Sequence, residues 1–292
     1  MRTKSLNLMQ SCWSRNQAGV SFFIIFSLFL LAKSNAQTIS DGTALNIAGK
    51  QRMLVERVAK DFVCKSLNLQ KEKAIKEQAT STILFEEHLS ILNTYAVNDA
   101  IKQKIALASK SWQEFKTVLE YKVMNQQNAA YVFQESDKLL KLCDDVVNAI
   151  VIQIISKKSS LDKSPLRKEL IASHTNSSGK MRMLVQRTAL YYICYYQGIT
   201  QKPHEQELIN TVDFIQFSLK EIKNSPINDE EVNGAILGVE AEWKIFVDAF
   251  QKEQKFDFSN KSITPESIFD LSNRLVNKID KVTLAYAKML DN

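Results

Sequence analysis

Proline and glycine are scarce, 4 and 7 in 292 residues. Tight hairpins draw on such turn residues, so a turn-dense all-β fold is excluded, and so are collagen-like and linker-rich chains. The 3 histidines leave little for a histidine-rich metal site. His88 follows Glu86-Glu87, but no Glu-x-x-His pair occurs, so a di-iron bundle site has no support. His174 and His204 are expected in solvated loops. None of the 4 cysteines belongs to a Cys-x-x-Cys pair, which argues against a zinc or thioredoxin-type centre. No generic catalytic constellation is assembled, so no catalytic residue, cofactor or metal is expected. A hydrophobic content of 45% excludes disorder, and the length allows one large domain or two ordinary ones.

The formal charge of +6 rests largely on the first 36 residues, which hold Arg2, Lys4, Arg15 and Lys33 and no acid. The remainder carries 34 bases against 32 acids, a balance that supplies no general attraction for nucleic acid. The same segment has a basic stretch to Arg15, then a 13-residue apolar run from Val20 to Ala32, then Ser34-Asn35-Ala36. The run is short for a membrane span, and small residues stand at −3 and −1 of a cleavage point. It reads as a secretory signal peptide, 1–36, with Gln37 as the mature start. The expected location is the periplasm or the exterior, with no membrane span after cleavage. Export permits disulfides, yet the mature chain keeps three cysteines, Cys64, Cys143 and Cys194. They read as small core residues, and Cys64 and Cys194 are expected not to be bonded to each other.

The chain repeats itself. Gly49–Cys64 set over Gly179–Cys194 gives nine identities in sixteen positions at an offset of 130. Asn98-Asp99 matches Asn228-Asp229, and Trp112 falls near Trp243, one residue out of step. The copies are placed at 40–156 and 170–292, with a polar linker, 157–169, between them. Each reads as four helices. In the first copy these are about Thr43–Leu67; Lys71–Tyr95 with a stripe of Ile83, Leu84, Leu89 and Leu92; a third capped by Asn98-Asp99 with Ile101, Ile105, Trp112, Phe115 and Leu119; and about Glu135–Ile155. In the second copy Pro203, Pro226 and Pro265 sit where new helices would begin, and Thr264-Pro265-Glu266 is a cap, a first-turn proline and an acid. No run alternates well enough for a strand. The expectation is all-α, two tandem antiparallel four-helix bundles.

The first helix is apolar on two faces. On a 100° wheel, Ile47, Gln51, Leu54, Val58 and Phe62 share one face, and Leu45, Ala48, Ala59 and Val63 surround Arg52 on another. Asn46, Lys50, Arg57 and Asp61 form the expected wet face. In the second copy Thr175, Ser178, Ala189 and Ile193 surround Arg182. Two apolar faces imply packing on both sides, and the natural second neighbour is the other copy's first helix. Arg52 has Glu56 at i+4 as a local partner, whereas Gln186 stands at that place after Arg182. Arg57 and Arg187 point away from this stripe and are expected in solvent.

The run Asn46-Ile-Ala-Gly-Lys-Gln-Arg-Met-Leu-Val-Glu-Arg57 resembles the opening helix of the nitrate/nitrite sensor domain and of the N-terminal domain of type IV pilus methyl-accepting chemotaxis transducers, the NarX/PilJ-type sensor. The second run, Asn176–Arg187, departs from that pattern at the two residues before its glycine. The resemblance implies tandem four-helix sensor units in which Arg52 and Arg182, beside Gly49 and Gly179, bind a small inorganic anion such as nitrate or nitrite. Glu56 stands where the family usually has glutamine, so Glu56 and Gln186 would modulate the site. It also implies a membrane signalling protein as partner, since the chain has no second span of its own. The reading that follows is an exported sensor-like module binding a small anion between the first helices of its repeats. The alternative is a structural or protein-interaction bundle whose arginines are internal struts.

Overall fold

A computed structural model describes residues 39–96, 98–120, 125–157, 165–200, 205–252, 255–256 and 263–292, without the side chains of 205 and 251–256. The signal-peptide segment, Pro203 and His204 lie outside the described residues. Among those described, the chain is all-helical apart from a two-residue-per-strand hairpin. The helices are α1 (Asp41–Ser66), α2 (Lys71–Tyr95), α3 (Asp99–Val118), α4 (Gln126–Ser156), α5 (Pro165–Tyr196), α6 (Glu205–Lys223), α7 (Glu230–Asp248) and α8 (Pro265–Asp291). The hairpin pairs Gln251–Lys252 antiparallel to Lys255–Phe256 between α7 and α8.

Helix starts follow side-chain capping. Asn98 accepts from the Ile101 amide at 3.0 Å and opens α3. Asp229, not Asn228, accepts from Val232 at 2.9 Å and opens α7. The cap therefore moves by one residue between the copies, the same single step that separates Trp112 from Trp243. Thr264 accepts from the Ser267 amide at 3.2 Å, with Pro265 in the first turn of α8. Helix α4 begins at Gln126, nine residues before the expected Glu135, because Asn125 caps it by accepting from the Asn128 amide at 2.8 Å. Pro165 opens α5, inside the segment read as linker. Pro226 lies in the turn before α7 rather than at a helix start.

Residues 39–292 form one compact unit. Helix α1 packs on α2 and α4, and equally on α5 and α8; α5 packs on α1, α8, α4 and α6. Burial on two sides explains why 18 of the 26 residues of α1 are buried. The first half's core gathers Phe85, Leu89 and Leu92 with Ile105, Trp112 and Phe115, and Trp112 stacks on Phe85 at 4.1 Å. Ile83 is not in this stripe: it is 59% exposed, and Phe85, two residues on, points inward in its place. The second half gathers Ile215, Ile236, Phe246, Leu275 and Ile279.

Candidate functional site: the crossing of α1 and α5

Equivalent residues of α1 and α5 meet each other. Leu45, Ala48, Ala59 and Val63 are buried on one side of the contact, and Thr175, Ser178, Ala189 and Ile193 on the other. At the crossing Gly49 faces Gly179: a Cβ built on Gly179 would lie 3.6 Å from the Gly49 Cα. The guanidinium groups lie over both glycines, so a side chain at either would crowd them. That same Cβ would sit 3.1 Å from Arg52 Nη2 and 3.5 Å from Arg182 Nη2. The two Nη2 atoms are therefore no farther apart than the sum of those distances, about 6.6 Å. Two unit charges at that separation repel by about 2–3 kcal/mol at an effective dielectric of 20.

The protein balances this repulsion internally. Arg52 donates through Nη1 to Asp144 at 2.7 Å, and through Nη2 to the Asn176 side-chain oxygen at 2.9 Å and its carbonyl at 3.2 Å. Arg182 mirrors it, donating to the Asn46 side chain at 3.1 Å, its carbonyl at 3.4 Å, and to Asp280. Each arginine thus takes a carboxylate from the last helix of its own half and an asparagine from the first helix of the other. Both arginines are at most 2% exposed, while the two aspartates are partly open, at 40% and 32%. Each Nε–H is buried without a partner among the described residues. Burial lowers the Arg182 pKa, and Asp280 opposes that shift. Asp280 itself titrates below its usual range: burial would raise it, but Arg182 and Lys50 outweigh that.

Several expectations about neighbours are corrected. Glu56 does not pair with Arg52. It is 1% exposed and accepts from Arg187 at 2.8 and 3.1 Å, so it neutralises the arginine expected in solvent. Arg187 also donates to Asp137 on α4. Burial raises the Glu56 pKa, and the Arg187 fork works against that. Gln186, the counterpart of Glu56, donates to Asn273 at 3.1 Å. Asn273 precedes Asp280 by seven residues, as Asp137 precedes Asp144, so one side of the crossing is ionic and the other carries amides. Asp61 is fully buried rather than wet, because α8 and α2 close over it. His174 is not in a loop: it lies in α5, 6% exposed, with Nε2 2.8 Å from Ser225 Oγ and its ring 5.1 Å from Tyr286. Cys64, Cys143 and Cys194 are all buried and free.

The carboxylates were invisible in sequence because they come from α4 and α8, some 90 residues or more away; only the seven-residue spacing of Asp137/Asp144 and Asn273/Asp280 carried a signal. Among the described residues no group of three or more His, Cys, Asp or Glu could hold a metal, and no helix is long and apolar enough to cross a membrane. Residues 34–137 match the family described as type IV pili methyl-accepting chemotaxis transducer N-term (PilJ). That span covers α1 to α3 and the start of α4. No curated protein and no solved structure matches the chain.

Proposed function

We propose that the protein is an exported sensing module of the PilJ type, two tandem copies in one chain, and that the α1–α5 crossing is its responsive element. The observation that carries this reading is the reciprocal pairing of Arg52 and Arg182 over facing glycines, with their Nη2 atoms within about 6.6 Å. A small planar oxyanion between the guanidinium groups would relieve their repulsion and accept hydrogen bonds from both forks. Asp144 and Asp280 compete for the same donors. Anion binding is therefore weak and requires the partly exposed aspartates to swing outward. A membrane signalling partner would read that movement from the outer faces of α4 and α8.

A specific observation favours a second reading: each guanidinium already has one carboxylate and one asparagine. On that reading the crossing is a permanent latch. Thermal unfolding with nitrate, nitrite or sulfate against chloride, at fixed ionic strength, separates the two, because a ligand raises the transition by mass action. The sensing reading expects a rise in the wild type, a larger one in Asp144→Asn and Asp280→Asn, and none in Arg52→Ala. Equal transitions in every anion, with both aspartate variants merely less stable, would establish the latch.

A further inference from the structure

Beside the amide side of the crossing, four helices bring Lys60, Asp61 and Glu77 together with Asn273 and Gln186. Lys60 is fully buried, and its Nζ donates to Asn273 Oδ1 at 2.9 Å and to Ser272 Oγ at 3.3 Å. It lies 4.0 Å from the centre of the Phe269 ring. Asp61 stands 3.8 Å from the same nitrogen, fully buried, with neither carboxylate oxygen hydrogen-bonded among the described residues. The Asn273 amide is held at both ends: its Nδ2 donates to Glu77 at 2.8 Å, and its Oδ1 also accepts from Gln186 at 3.1 Å. In the second copy Leu190 and Tyr191 replace Lys60 and Asp61, so the arrangement occurs once.

We infer that Lys60 and Asn273 form an intramolecular isopeptide bond that ties α1 to α8. The reaction needs a neutral amine, a polarised amide, a base and a proton shuttle at the leaving nitrogen. Burial holds the Lys60 pKa below its ordinary value, and desolvated lysines are nucleophiles. Burial also pushes Asp61 up to about 7, which suits a group that takes a proton and returns it. Lys60 gives one ammonium proton to Asp61, and its nitrogen then attacks Asn273 Cγ. Gln186 supports the negative charge that develops on Oδ1. Glu77 takes a proton from the new C–N nitrogen and passes it to Nδ2. The Cγ–Nδ2 bond breaks, ammonia leaves, and it recovers the proton held by Asp61. Nothing is oxidised or reduced. Nζ stands 2.9 Å from the Asn273 amide oxygen, so the amine is held beside the carbonyl group it attacks.

Intact-mass measurement of the purified mature protein is the first test, and a peptide map for a species joining the Lys60 and Asn273 peptides is the second. The expected result is a mass lower by one ammonia, with that joined peptide present. Lys60→Met and Asn273→Ala should restore the full mass. Asp61→Asn and Glu77→Gln should slow bond formation by about 10²-fold or more. A wild type that keeps its full mass after prolonged incubation overturns the inference. So does an ammonia loss that persists in Lys60→Met, as cyclisation of an N-terminal glutamine at Gln37 would. Because the joined Lys60–Asn273 peptide is sought in the wild type, and its absence alone overturns the inference, a variant that fails to fold does not blur the outcome.

Discussion

The two interior arginines could be read from sequence because each stands among small apolar residues on a helix with no free face. Their partners could not. Rules for neighbours at i+4 see only one helix, so they assigned Glu56 to Arg52, whereas Glu56 reaches Arg187 on the other copy. The same blindness hid His88, which is buried with Nδ1 unpartnered among the described residues. Burial, with the charges of Lys50 and Arg182 beside it, pushes this histidine down to about 4, while Asp280 pulls the other way. The folded protein therefore keeps His88 neutral where the unfolded chain takes up a proton. Its contribution to stability is full above about pH 6.5 and falls as the pH drops towards 4, by about 3 kcal/mol in all. Urea unfolding at pH 7 and pH 4.5 should show this loss in the wild type and a smaller loss in His88→Gln. An equal loss in both proteins would remove His88 from the acid response.

At the scale of helices, chain punctuation was legible and inter-helix fit was not. Asn98 and Thr264 announce α3 and α8 because a short polar side chain before an apolar run has one good use, the free amides of a first turn. The early start of α4 at Gln126 was legible in part, since Ala129, Val132 and Phe133 already stand at helical spacing after the Asn125 cap. Glycines divide in the same way. Gly42 reads as a poor helix residue, yet its amide donates to Asp291 at 2.7 Å and a Cβ there would lie 1.9 Å from the Ala287 carbonyl oxygen. Gly234 in α7 is exposed, and a Cβ there would meet nothing within 4 Å. Alanine should therefore act with opposite sign at the two positions. Gly42→Ala must push α1 off the end of α8, at a cost of about 2–3 kcal/mol. Gly234→Ala should stabilise by about 0.5–1 kcal/mol through helix propensity alone. Chemical denaturation of the two variants decides it; a neutral Gly42→Ala would mean the α1–α8 junction yields easily.

Across the whole molecule, the sixteen-residue repeat implied a twofold relation, and the second apolar face of α1 implied what it would pack against. What the repeat left open was how far each half depends on the other. Helix α1 is covered by α5 and α8 as well as by α2 and α4, so a first half alone would expose Leu45, Ala48, Ala59 and Val63, together with Arg52, which keeps Asp144 but loses Asn176, and Lys60, which loses Ser272 and Asn273. Losing that much apolar contact amounts to several kcal/mol at about 25 cal/mol per Å², comparable with the whole stability of a domain. Residues 37–160 and 161–292, produced separately, should therefore be poorly folded and prone to aggregate, and co-produced they should purify as a one-to-one complex with a single unfolding transition. Two halves that each fold alone with sharp transitions would make the α1–α5 contact an ordinary domain interface. The experiment has a second readout. Lys60 lies in the first fragment and Asn273 in the second, so a bond between them would hold the complex together on a denaturing gel, and Lys60→Met would release it into two bands.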